Sequence, residues 1–81
     1  MKKLSRPQRW EAAAAKAARA LEELVDIQWE YEVWYDGMPE NLQQSATGEM
    51  LEEITDLDLV AARDSVEEAM ETALPRGFGR D

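Results

Sequence analysis

The feature of this sequence that most restricts its fold is a run of 29 residues, 8–36, that contains neither glycine nor proline. The run is rich in alanine, leucine and glutamate, which favour helix. Ser5 is suited to cap its start, and Pro7 fits the first turn, where a backbone N–H has no helical partner. Gly37, which can adopt φ > 0, and Pro39 indicate where it stops. The sequence therefore predicts a first helix over about residues 5–36, roughly 45 Å long at ~1.5 Å per residue.

Two shorter helices are predicted after Pro39. The second covers about residues 39–55, where apolar residues recur every fourth position at Leu42, Ala46, Met50 and Ile54. Gly48 weakens that helix by about 1 kcal/mol relative to alanine. Because Ser45 could cap a restart, the helix is either continuous or kinked near Gly48. The third covers about residues 57–74, is capped by Asp56 or Asp58, and ends at Pro75. Residues 75–81 form a tail without a regular pattern.

The apolar residues of the first helix follow a heptad spacing in two adjoining rows, with alternating steps of three and four residues. The rows comprise Trp10, Ala14, Ala17, Leu21, Leu24, Gln28, Tyr31 and Tyr35, and Ala13, Ala17, Ala20, Leu24, Ile27, Tyr31 and Trp34. The loops after this helix are short, so the other two helices should fold back as an antiparallel pair. We therefore predict one all-α domain over residues 1–81, in which a long N-terminal helix is packed by an antiparallel helical hairpin over its aromatic half.

The alanine half of the first helix would then be left uncovered. An exposed apolar stripe of this length usually binds a second chain. We therefore predict a homo-oligomer, most simply a two-fold dimer with antiparallel first helices. The expected interface residues are Trp10, Ala13, Ala14, Ala17 and Leu21.

A second protein partner is expected at residues outside this stripe. Trp29 and Val33 lie one turn apart on the side of the first helix opposite Leu24, and tryptophan is enriched at binding hot spots. In the tail, Arg76 and Arg80 flank Phe78, an arrangement that could anchor a partner or clamp a phosphate. The alternative for the tail is a frayed chain terminus.

The net charge of −9 is distributed unevenly along the chain. Residues 1–19 carry six basic side chains and one acidic, whereas residues 20–75 carry sixteen carboxylates and one arginine. The acidic part raises an alternative function, a decoy that imitates nucleic-acid phosphates and occupies a basic groove. The six cations at one end argue against a pure mimic, because they do not help to imitate phosphates. We also expect no direct nucleic-acid binding.

The residue types present argue against several chemistries. There is no cysteine and no histidine, so disulfides, thiolate metal sites and the usual neutral-pH general base are excluded. We expect no catalytic residues, no metal and no cofactor. No apolar run approaches the ~18 residues that span a bilayer, and no apolar segment follows the basic start. We therefore expect a cytoplasmic protein that does not bind membranes.

Two stretches resemble a known group of proteins. They are residues 35–45 with the following Glu49, and residues 74–81; Arg9 and Trp10 near the start add to the likeness. With them the chain resembles small helical accessory proteins of tailed bacteriophages and prophages. The resemblance implies a phage context, in which some such proteins bind and disable a host factor in the host cytoplasm. It implies no functional residue.

From these observations we predict a non-catalytic helical protein–protein interaction module that inhibits or modulates a host protein. Three alternatives remain open besides it. They are the acidic decoy, an oligomeric sponge in which arginines hold an anionic nucleotide, and a structural component of a larger assembly.

Overall fold

The computed structural model describes residues 3–75, which form four helices and no strand. The helices are α1 (Arg6–Asp36), α2 (Glu40–Gln43), α3 (Ala46–Thr55) and α4 (Leu59–Glu71). α1 packs against both α3 and α4, and α2 packs against α3. The predicted fold class, an all-helical chain whose long N-terminal helix is packed by the shorter helices that follow, is confirmed.

Both ends of α1 are closed by hydrogen bonds that local sequence explains. The Ser5 hydroxyl accepts the Gln8 N–H at 3.3 Å, and the Gln8 side chain accepts the Ser5 N–H at 2.9 Å, which is a reciprocal capping box. At the other end, the Gly37 N–H donates to the Val33 carbonyl at 3.1 Å. Gly37 has φ −83°, so the helix stops here without the left-handed conformation expected of this glycine.

The second predicted helix is divided in two, and the break lies before Gly48 and not at it. α2 ends at Gln43, and Ser45 then caps α3 by accepting the Gly48 N–H at 3.2 Å. The restart at Ser45, one of the two alternatives that the sequence left open, is therefore the one adopted.

α4 begins at the predicted cap and ends earlier than predicted. Asp58 is the cap, because its carboxylate accepts the Ala61 N–H at 3.0 Å. The helix ends at Glu71, since Thr72 has an extended backbone with ψ 130°. The Thr72 hydroxyl donates to the Glu68 carbonyl at 2.8 Å and so satisfies one terminal acceptor.

After α1, the chain returns along it in the opposite direction. Three side-chain donors mark the alignment, which runs from Gln43 on the Tyr35 carbonyl (3.2 Å), through Gln28 on the Ile54 carbonyl (2.8 Å), to Trp10 on the Ala69 carbonyl (2.9 Å). α3 lies beside the aromatic half of α1 and α4 beside the alanine half. The expectation that the shorter helices cover only the aromatic half was therefore wrong, because they lie one after the other along α1.

This arrangement gives a layer only one helix thick. The molecule measures 63 × 26 × 15 Å between Cα atoms along its principal axes. Among residues 3–75, the buried apolar side chains are those of Ala14, Ala18 and Leu51, and no large side chain is fully buried. A chain of this size already buries a small share of its surface, and a single layer leaves much of its apolar surface on the outside.

Gly48 is the residue on which the α2–α3 turn depends most. A methyl group at this position would lie 2.6 Å from the Gln43 carbonyl carbon and 2.8 Å from its Cα, both of them backbone atoms that cannot rotate away. Glycine is therefore required here by the close approach of α2, although alanine is the better helix former.

We expect Gly48→Ala to lower the free energy of unfolding by about 1–3 kcal/mol, because the backbone clash outweighs the ~1 kcal/mol gain in helix propensity. Thermal unfolding followed by circular dichroism measures the change. Gly37→Ala is the matched control: the nearest atom to its methyl group would be 3.5 Å away, so stability should stay the same or rise. Equal effects of the two substitutions would contradict the packing argument.

Candidate functional site

One face of α1 is committed to packing within the chain. Its residues recur every seventh position at Ala14, Leu21, Gln28 and Tyr35, and all four are buried or half-buried. We call them the inner row. Gln28 fixes the row in place, since its side-chain amide donates to the Ile54 and Leu57 carbonyls, each at 2.8 Å. These carbonyls end α3 and lead into α4, so Gln28 holds α1 to the junction between the two helices.

A second apolar row lies beside the inner row and is exposed. Each of its members immediately precedes an inner-row residue, so the rows are about 100° apart around the helix. The members are Ala13, Ala20, Ile27 and Trp34, all of them exposed. Between the two rows lie Trp10, Ala17, Leu24 and Tyr31. We call these eight residues the uncharged strip, because none of them is an aspartate, glutamate, lysine or arginine.

The two ends of the uncharged strip differ in shape. At its alanine end, α4 borders the strip and leaves an apolar groove of about 240 Å³, lined by Trp10, Ala13, Ala14, Ala17, Val66 and Ala69. At its aromatic end, the rings of Tyr31 and Trp34 stack with centroids 6.2 Å apart and 24° between their planes. The Trp34 side chain nevertheless stays 53 % exposed. The strip thus has a hollow at one end and a projecting ring at the other.

The oligomer interface predicted from the sequence falls partly on this strip. Trp10, Ala13 and Ala17 belong to it, and the Trp10 indole is held across the groove by its bond to the Ala69 carbonyl. Ala14 and Leu21 belong to the inner row instead. Ala14 is buried within one chain, so a second chain cannot pack against it.

The predicted partner-binding residues of α1 form a separate surface. Trp29 follows Gln28, so it lies on the flank of α1 opposite Ile27, and Val33 lies one turn further along. Both are exposed, Trp29 by 64 %. The structure therefore places them together and away from the uncharged strip. The other three predicted residues, Arg76, Phe78 and Arg80, lie outside the described residues.

A row of charged side chains borders the strip on the side away from α4. It consists of Arg9, Lys16, Glu23 and Glu30, each seven residues after the last and all exposed. Lys16 lies three residues after Ala13 and four before Ala20, so it neighbours both on the helix surface. The cations lie at the alanine end of the strip and the carboxylates toward the aromatic end.

A separate concavity among the described residues has a different character. It is an open groove of about 890 Å³ beside the α1–α3 turn, lined by Tyr35, Glu40, Asn41, Gln43, Gln44, Glu49 and Glu52. Its carboxylates have no basic or nucleophilic partner in the lining, and no cluster in residues 3–75 has the make-up of a metal site. None of the helices in this part of the chain combines the length and apolarity needed to cross a membrane.

Most of the uncharged strip could be read from the sequence, because the second of the two predicted rows contains seven of its eight residues and Trp10 stands in the first row. Both rows are apolar, so the sequence alone could not decide which one faces the shorter helices.

Comparison with family models, with curated proteins and with solved structures gives no match for this chain. The resemblance to phage accessory proteins therefore stays a prediction, and the function has to be argued from the surfaces described above.

We expect Gln28→Leu to destabilise the fold by about 1–2 kcal/mol, although leucine suits an apolar row. Leucine and glutamine have similar helix propensities, so the loss reports the two side-chain hydrogen bonds that leucine cannot make. Chemical denaturation measures it. Gln44→Leu, at an exposed position between α2 and α3, is the control and should change stability little. A more stable Gln28→Leu variant would mean that apolar packing, and not these bonds, holds α1 to the junction.

Proposed function

We propose that this chain is a non-catalytic helical protein–protein interaction module. The observation that carries the proposal is the uncharged strip, which runs for 25 residues along α1; six of its eight residues are exposed, and Ala17 and Tyr31 are half-buried. Monomeric proteins seldom keep apolar surface contiguous over such a length, and larger exposed patches mark interaction sites. The patch of Trp29 and Val33 offers a second apolar surface on the opposite flank.

Its residue types and surfaces support a binding role over a catalytic one. The chain has no histidine or cysteine, and the open groove of about 890 Å³ beside α2 and α3 is lined mainly by carboxylates and amides without an activating partner. Nucleophilic catalysis needs a nucleophile beside a base or another activating group, which this groove does not supply. The apolar surfaces, by contrast, carry tryptophan and tyrosine, the side chains that contribute most at protein interfaces.

As to biological role, we propose that the module inhibits or modulates a host protein, in keeping with the resemblance to phage accessory proteins. A small layer of helices with an apolar face is suited to bind across a groove or a helix of a larger protein. The nucleotide-sponge alternative depends on Arg76 and Arg80, outside the described residues, and nothing further supports it.

The experiment compares what the immobilised protein retains from a bacterial extract with what three variants retain. Leu24→Glu places a charge in the uncharged strip, and Trp29→Glu places one in the opposite patch. Val60→Glu is the control, because Val60 on α4 is 44 % exposed and Leu24 46 % exposed, yet Val60 belongs to neither surface. We expect one of the first two variants to lose the partner, with at least a tenfold weaker affinity, and the control to keep it. Retention by all three would contradict binding through these surfaces.

The salt dependence of partner binding distinguishes this proposal from the acidic decoy. Sixteen carboxylates on residues 20–75 give the decoy its field, and at about 1 M salt the screening length is only ~3 Å. A partner bound through tryptophan and leucine side chains should remain bound in such a buffer. Release of the partner there, with no effect of Leu24→Glu or Trp29→Glu, would favour the decoy.

A further inference from the structure

We infer that the uncharged strip is covered by a second copy of this chain, placed antiparallel across a two-fold axis near Leu24. The inference rests on the proposed function, because it names the partner of the same strip. The shape of the strip, its bordering charges and the thinness of the fold each support it.

The two ends of the strip complement each other. A second copy that runs antiparallel brings its exposed Trp34 over the apolar groove at Ala13 and Ala17, and by symmetry receives the Trp34 of the first copy in return. A parallel copy would instead place Trp34 against Trp34 and groove against groove. Only the antiparallel arrangement therefore places the projecting Trp34 ring of each chain over the groove of the other.

The bordering charges lead to the same orientation. In a two-fold antiparallel pair, the row of Arg9, Lys16, Glu23 and Glu30 meets its own copy in reverse order. With the axis near Leu24, Lys16 of each chain lies near Glu30 of the other, while the two Glu23 side chains meet near the axis and Arg9 lies beyond the end of the partner's row. A parallel pair in register keeps Lys16 and Glu30 of the two chains 14 positions apart, so this contact is lost. Exposed pairs of this kind contribute little to affinity, but they select orientation.

Shape and charge also agree on the alignment of the two chains. An axis that sets Ala13 opposite Trp34 lies midway between positions 13 and 34, next to Leu24. The same axis sets position 16 opposite position 31, within one residue of Glu30. The hydrophobic contact and the Lys16–Glu30 pair therefore form in one arrangement, although neither was used to choose the other.

The area of the face is about the minimum for a biological interface. From Trp10 to Trp34 the strip is about 36 Å long at ~1.5 Å per residue, and with its groove it is between one and two helix diameters of ~10 Å wide. Each copy would thus cover on the order of 500 Å², and the pair on the order of 1,000 Å², the lower range of specific interfaces. α1 would then have neighbours in two directions about 100° apart, the geometry of a helical bundle.

The first test is the mass of the purified full chain in solution, by sedimentation equilibrium over a range of concentrations. We expect the mass of two chains for the wild type and for Val60→Glu, and of one chain for Leu24→Glu and Trp34→Glu at the same concentration. Circular dichroism checks that the variants keep their helix content, which is expected because both residues are exposed and Leu and Glu have similar helix propensities. A monomeric wild type, or a Leu24→Glu variant that stays dimeric, would overturn the inference.

The second test is a charge exchange that only a second copy in this orientation can satisfy. Lys16→Glu and Glu30→Lys should each raise the dimer dissociation constant by roughly tenfold at low salt, and the double variant should recover most of the wild-type value. Lys16 and Glu30 are about 21 Å apart within one helix, so no contact inside a chain can explain the recovery. Arg19→Glu makes the same change of charge off this row and should have a smaller effect. Absence of recovery in the double variant would contradict the antiparallel arrangement.

These outcomes separate the two proposals. A monomeric wild type that still retains an extract protein through the uncharged strip would overturn the second copy and leave the interaction function standing. A dimer built on the strip that retains no extract protein would do the reverse.

Discussion

The close approach of α4 to the alanine half of α1 determines most of what this molecule can and cannot bury. Ala14 and Ala18 are buried there, and Ala69 stands across from them, near enough for its carbonyl to accept the Trp10 indole. Alanine side chains permit two helices to lie close together, but they fill little volume. The contact between α1 and α4 is therefore narrow, and bulkier side chains such as Leu24 and Trp34 lie outside it. The same small residues that allow the layer to form also prevent it from enclosing a large core.

The sequence predicted the helices well and the packing of the first helix only in part. Ser5 and Asp58 could be recognised as caps because capping depends on residues a few positions apart. Gly48 could not be read correctly, since its role comes from the backbone of Gln43 in a neighbouring helix. Intrinsic propensity marked it as a weakness, whereas tertiary contact makes it a requirement. The coverage of α1 was mispredicted for a related reason: helix lengths alone do not say how far along α1 the shorter helices extend.

For the candidate site, the harder prediction was which side of α1 faces the shorter helices. Two rows lie one residue apart, and hydrophobic periodicity does not favour the inner one, because it contains Gln28. The choice between them is made by polar bonds that periodicity ignores, above all those from Gln28 to the carbonyls at the α3–α4 junction. Once these bonds hold the inner row inward, the neighbouring row has to lie about 100° away, on the outside. The uncharged strip is thus a consequence of where one amide side chain binds.

Side-chain size and bordering charge both change along α1, and neither change is matched within a single chain. Beyond Trp10, the side chains of the strip grow from alanine to tryptophan, and its bordering charges change from basic to acidic in the same direction. Neither α3 nor α4 responds to the change of charge, because residues 20–75 are acidic almost throughout, with Arg63 as their one cation. A gradient of size and a gradient of charge in the same direction are both satisfied by the same helix run backwards. The inferred second copy would thus supply a physical reason for a surface helix to keep eight consecutive strip positions free of charge.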